Sequence, residues 1–368
     1  MSESAVQAAL RGADNLLLDC LQLKPGESFL LVLEPDEALY QADVGKVMAE
    51  RATAIGAKVE IITEPVIKNP DDFPASVANA MQRADHTLFL SRVGDYARFV
   101  KLPGEGTKTT SYTLDLEMLA SPFASISHQL LATLRDKLEA ELLAASEWNI
   151  TCPLGTTISG KFIWSSLTGG EDDELLVSLF PVSTFKPVPC GSGTGRVALS
   201  RWLMPGAGEK IEGANLDLEG VVFCHVVDGS IESFSSPNAE AEAEAEAARV
   251  SAHYDRVSKT LNINRNRVHS WHLGINPQTW FPQSAESDLA RWSAISFGSP
   301  RYLHFHTCGD EPPGEVAWSL FNPTVSIDGQ QYWEDGEFVW LQREDNRKLI
   351  QATEGANALL ERSRDIGV

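Results

Sequence analysis

A group of histidines and carboxylates able to hold a metal or move a proton gathers within the last hundred positions of the chain: His269, His272, His304, His306, Asp310, Glu311 and Glu315. His304 and His306 alternate in Leu303-His304-Phe305-His306, a run that reads as a strand. The two-residue strand period then puts both imidazoles on one face. With His272 and the carboxylate of Glu315 they would supply imidazole and carboxylate donors. Two histidines and one carboxylate is the ligand composition of non-haem iron oxygenases, which keep positions open for oxygen and substrate. The plainer alternative is a set of partly buried histidines bonded to their neighbours.

Other constellations are thinner. Cys152, Cys190 or Cys308 could pair with His225 or His304 as nucleophile and base. No local signature surrounds any of them, and free cysteines commonly serve as small core hydrophobes. Gly191-Ser192-Gly193-Thr194-Gly195 has the look of a phosphate cradle. It does not lead from a strand into a helix, and Pro187 and Pro189 precede it, so a flexible loop is the expectation. The acidic run Glu171, Asp172, Asp173 and Glu174 lacks calcium-ligand spacing and reads as a solvated loop.

The elements that must position these residues change character along the chain. All nine tryptophans lie at or beyond Trp148. Upstream, helical periodicity over residues 4–22, 38–55 and 74–84 alternates with short apolar strands at Ser28–Leu33, Lys58–Thr63 and Thr87–Ser91. Buried strands separated by helices imply a mostly parallel sheet with right-handed crossovers. A long helix over about residues 125–146 closes this half. Downstream, short runs rich in Val, Ile, Phe, Trp and Thr alternate with turn residues. Asp228-Gly229 and Asp328-Gly329 mark hairpins. The stretch Glu240–Glu246 has period two, but Ala and Glu favour helix, so it predicts the solvated start of a helix reaching about Thr260. The fold class expected is α/β: a small α/β domain over residues 1–147 and a larger β-rich domain over residues 148–368.

Lys+Arg of 30 against Asp+Glu of 51 gives a net charge of −21. Such a surface repels phosphate backbones and anionic lipid, so no nucleic acid and no membrane is expected as partner. No apolar run approaches the roughly 18–20 residues of a membrane span, and the first residues carry no basic leader. Five scattered cysteines with no CxxC pair suit a reducing, cytoplasmic location.

A resemblance spans most of the chain. LKPGESFLLVLE, AIGAKVEIIT and ANAMQRADHTLFL resemble the first domain of aminopeptidase T-type metallopeptidases and of their relatives, the 2,5-dihydroxypyridine dioxygenases. In the second half SEWNITCPLGTTISGKF, LFPVSTFKPVPCGSGTGRVAL, HLGINP and FNPTVSIDGQQYWEDGEF are similar to that superfamily's strand-and-turn, proline-rich loop, GxxxNP turn and closing hairpin. The resemblance implies an α/β N-domain, a β-rich C-domain and a homodimer. It also implies a metal site, and there the sequence departs. Positions that would carry ligands read Ala317, Thr184 and, near the GINP turn, Ser270.

The resulting expectation is a degenerate member that binds rather than turns over, with no cofactor and a peptide as ligand. Accessory proteins that present precursor peptides to tailoring enzymes, as in crocagin-type ribosomal peptide natural-product pathways, would look like this. Trp271, His272, His304 and Trp318 are the expected peptide contacts, tryptophan offering large area with a polar handle. The alternative is an iron-dependent ring-cleaving dioxygenase or a metallo-aminopeptidase with rearranged ligands. It would hold Fe2+ or Zn2+ on His272, His304, His306 and Glu315.

Overall fold

The computed structural model of the chain describes residues 3–35, 39–67, 72–97, 102–166, 177–206, 210–238, 240–310 and 314–368. The acidic run at residues 171–174 and Glu311 lie outside them. Three sheets form among the described residues.

The first sheet is parallel throughout, in the order Lys58–Thr63, Ser28–Leu33, His86–Leu90, Thr107–Ser111, Ser178–Phe180. Its central strands are buried on both faces, as a parallel sheet requires: Leu31 and Leu88 face one apolar cluster, Leu30, Val32 and Phe89 another. Two of its strands were not expected from sequence. Thr107–Ser111 (TKTTS) is polar throughout, and Ser178–Phe180 comes from beyond residue 148. The segment after the long helix His128–Ala144 therefore returns to complete the first layer. Helices Glu3–Asp14, Ala42–Ile55 and Ala75–Met81 fall where the periodicity placed them.

The second half is antiparallel. A seven-stranded sheet runs Ser230–Ser235, Val222–Val227, Thr194–Leu199, Thr157–Lys161, Glu147–Thr151, Thr324–Ile327, Gln330–Trp333. A six-stranded sheet runs Leu216–Asp217, Trp202–Met204, Val316–Phe321, Tyr302–Thr307, Val268–Leu273, Val188–Pro189. Both Asp-Gly pairs sit at hairpin tips with positive φ at each residue, 47° and 68° for Asp228-Gly229 and 47° and 76° for Asp328-Gly329. Glu240 caps and residues 241–246 begin the helix Ala241–Leu261, whose Val250, Tyr254 and Val257 pack into the larger core. Among the described residues no helix is long and apolar enough to cross a membrane.

The glycine-rich stretch 191–195 is a tight turn into the strand Thr194–Leu199. Gly193 N–H donates to Cys190 O, and its carbonyl accepts from Gly229 N–H, so the backbone is spent on the fold rather than turned toward a phosphate. Gly274 answers a different need. It ends the strand Val268–Leu273, and a Cβ there would stand 2.0 Å from the backbone carbon of Gly298. Backbone cannot yield as a flexible side chain can. Gly274→Ala should therefore destabilise the protein by at least about 2 kcal/mol in urea unfolding. A loss under about 0.5 kcal/mol would mean the close approach is unimportant.

Candidate functional site

Three neighbouring strands of the six-stranded sheet build the site. Their register places Ser270 opposite His306 and His272 opposite His304, then His304 opposite Ser319 and His306 opposite Ala317. Side chains alternate between faces, so one face carries Ser270, His272, His304, His306, Ala317 and Ser319. The sequence expectation that His304 and His306 share a face holds. The antiparallel partner adds His272.

The three imidazoles pack together. Ring centroids of His272 and His304 are 3.9 Å apart, those of His272 and His306 4.9 Å, and those of His304 and His306 5.0 Å. One nitrogen from each ring lies within 4.8 Å of the others, the only such grouping of three or more His, Cys, Asp or Glu donors among the described residues. A metal about 2.0–2.1 Å from each nitrogen would draw them to roughly 3 Å apart. Three imidazoles with further positions open is a known mononuclear arrangement, and imidazole suits Zn, Cu, Fe and Ni. The donor set fits such an ion.

Hydroxyl groups hold the rings. Thr184 Oγ1 lies 3.0 Å from His272 Nδ1, and Ser270 Oγ lies 3.1 Å from His306 Nδ1. On its other side Ser270 Oγ meets His269 Nδ1 at 2.9 Å. Burial, aided by the nearby Arg267 charge, lowers the His269 pKa to about 4, so that ring is neutral at neutral pH. Tyr302 stacks on His304, centroids 5.4 Å apart and planes 14° from parallel, while its hydroxyl meets Ser319 Oγ at 3.2 Å.

Other residues singled out from sequence take different places. Glu315 does not join the histidines: its backbone N–H bonds to Thr307 O and Cys308 O, and its carboxylate accepts from Lys210 Nζ at 2.5 Å. Trp271 and Trp318 face away from the site. With Phe305 between them in register, they form an aromatic row on the opposite face, all at 0% exposure. Trp271 meets Trp148 edge-on at 5.8 Å, and Trp318 Nε1–H donates to Tyr254 OH at 2.5 Å. As contacts for a peptide they are blocked by the protein itself. Trp318 fills the core. The cysteine alternative also recedes, since burial pushes the Cys308 thiol up to about 12 and raises that of Cys190 further.

Thr184, Ser270 and Ala317, the positions where the resemblance placed lost ligands, surround the histidine cluster. Sequence reasoning read the first two as vacancies and missed their bonds to the imidazoles. It also passed over Tyr302, although the parity that joins His304 to His306 includes it.

No family model matches the chain, and no curated protein matches it by sequence. A solved structure does: 2,5-dihydroxypyridine dioxygenase from Pseudomonas putida KT2440 superposes with a TM-score of 0.57 at 13% identity, over 92% of this chain and 98% of that one. The two share a fold.

The placement of the tryptophans generates an expected outcome. Trp271→Ala and Trp318→Ala should each cost about 3–5 kcal/mol in denaturant unfolding, the range for emptying a buried aromatic site. Full stability in either variant would contradict the core assignment.

Proposed function

We propose that this protein is a mononuclear metalloprotein in which His272, His304 and His306 hold one divalent transition ion. The observation that supports it is the convergence of three imidazole nitrogens within 4.8 Å on one sheet face. The likeness in fold to a solved dioxygenase is consistent with oxygenase chemistry. When bound, such an ion supplies Lewis acidity and a site for oxygen or substrate. The chain's own residues supply the rest. Thr184 and Ser270 orient two rings, and Tyr302 walls the third. Titration of chelator-treated protein with Zn2+, and with Fe2+ under anaerobic conditions, should give stoichiometric binding. His272→Ala and His304→Ala should weaken it by more than the roughly 10–100-fold that outer partners control. Glu315→Gln should bind like the parent. Equal binding by parent and histidine variants would overturn the assignment.

A second reading, non-catalytic peptide binding, is favoured by a different surface. The strand Ser230–Ser235 is the outermost of the seven-stranded sheet, and beside it the helix Ala241–Leu261 leaves a groove of about 580 Å³. Glu232, Phe234, Glu244 and Arg265 line it. Arg265 is bonded to Asp255 at 2.6 Å, so Glu232 and Glu244 set the sign of the groove. An extended cationic segment could add there as a further strand, its backbone pairing with the edge. Calorimetry should show a lysine-rich peptide binding more weakly as salt rises. Ser233→Pro, which removes a backbone donor from this outermost strand, should reduce it. Equal affinity for an acidic peptide would count against the groove.

A further inference from the structure

We propose that Thr184 and the Ser270–His269 pair are positioning residues that hold His272 and His306 as the tautomers protonated at Nδ1, so that each presents Nε2 to a metal. The inference rests on the three-histidine reading and adds to it a cause for the direction in which the rings face. A neutral imidazole carries one N–H and one acceptor nitrogen, and the bond made by one nitrogen decides which role the other plays. Both Nδ1 atoms are committed to hydroxyl oxygens, at 3.0 Å for His272 and 3.1 Å for His306. Nε2 is then the nitrogen that either ring can offer.

A hydroxyl can accept or donate, so the oxygen alone does not fix the proton. At His306 a second partner bears on it. Ser270 Oγ lies between His306 Nδ1 and His269 Nδ1 at 3.1 and 2.9 Å, and the serine has one hydrogen to give. If it donates to His269, it must accept from His306, which puts the His306 proton on Nδ1 and leaves Nε2 as a ligand. The reverse chain, His269 to Ser270 to His306, would put the proton on His306 Nε2 and block ligation there. A metal on His306 Nε2 selects the first of these, in which a neutral His269 carries its proton on Nε2, a buried atom with no hydrogen-bond partner among the described residues, and receives the serine hydrogen at Nδ1. Its burial at 1% exposure keeps it neutral at neutral pH. His269 thus acts on His306 through Ser270 without touching the metal position.

The arrangement draws on separate parts of the chain. Thr184 comes from the segment after Phe180, tied to the GINP turn by Ile275 N–H donating to Ser183 O at 2.9 Å. Ser270 and His269 come from the strand that carries His272.

The test uses protein labelled with 15N-histidine, its imidazole nitrogens read by NMR, and Zn2+ affinity measured by chelator competition. In the parent, His272 and His306 should show Nδ1–H tautomers once Zn2+ is bound. Thr184→Val and Ser270→Ala should each weaken Zn2+ binding by about 10–100-fold, with a rise in the Nε2–H form of the ring they touch. Thr184→Ser should restore affinity, a rescue that a mere packing role would not give. His269→Asn keeps an acceptor near Ser270 and should lose less than His269→Ala, and thermal unfolding of every variant separates misfolding from loss of the bond. If the parent binds Zn2+ and the Thr184 and Ser270 variants match it in affinity and tautomer, the positioning roles are wrong and the metal centre stands. If the parent binds no Zn2+, both fall.

Discussion

The pairing of His272 with His304 is the constraint on which the site depends. A slip of one residue between the strands Val268–Leu273 and Tyr302–Thr307 would exchange their faces, turning imidazoles into the core and aromatics outward. What prevents it lies on the other side of the sheet. Trp271, Phe305 and Trp318 stand in register there, fully buried. Burying a side chain such as Phe305 stabilises by about 1.5–3 kcal/mol, and each tryptophan carries a larger apolar surface. Exposing the row would cost a large share of the roughly 5–15 kcal/mol that holds a typical protein folded. The aromatic face fixes the register, and the register assembles the histidines.

The donor set has an electrostatic consequence. Imidazole ligands are neutral, so a divalent ion held by three of them keeps its full charge. In a site with two histidines and a carboxylate, part of that charge is cancelled by the protein. Glu315 does not play that part here, because Lys210 holds its carboxylate and the strand start carries it away from the rings. An anionic or readily deprotonated ligand at the open positions would be favoured, the ion being the largest local charge.

Much of this was legible in the sequence, and the failures have physical reasons. Period two placed His304 and His306 on one face, and the helix-forming chemistry of Ala and Glu outweighed the strand-like alternation of residues 240–246. The change of rhythm near Trp148 marks where antiparallel sheet begins, although Ser178–Phe180 returns to the first layer. That return is a long-range pairing with no local signature, and the polar strand Thr107–Ser111 escapes a search for apolar runs. The union of His272 with His304 is likewise a matter of register across 32 positions of chain. Trp271 was misjudged for a related reason. It adjoins His272 in sequence, and adjacency in a strand means opposite faces.

The local structure around a bound metal is the most direct test of the three-histidine centre. X-ray absorption at the zinc edge of the Zn2+-loaded protein reports ligand type and distance without reference to activity. The expected spectrum has imidazole multiple scattering from three rings, with nitrogen at about 2.0–2.1 Å and no sulfur. It should be unchanged by Glu315→Gln and lose imidazole scattering in His272→Ala. A spectrum with fewer than three imidazoles, or one indifferent to His272, would contradict the centre.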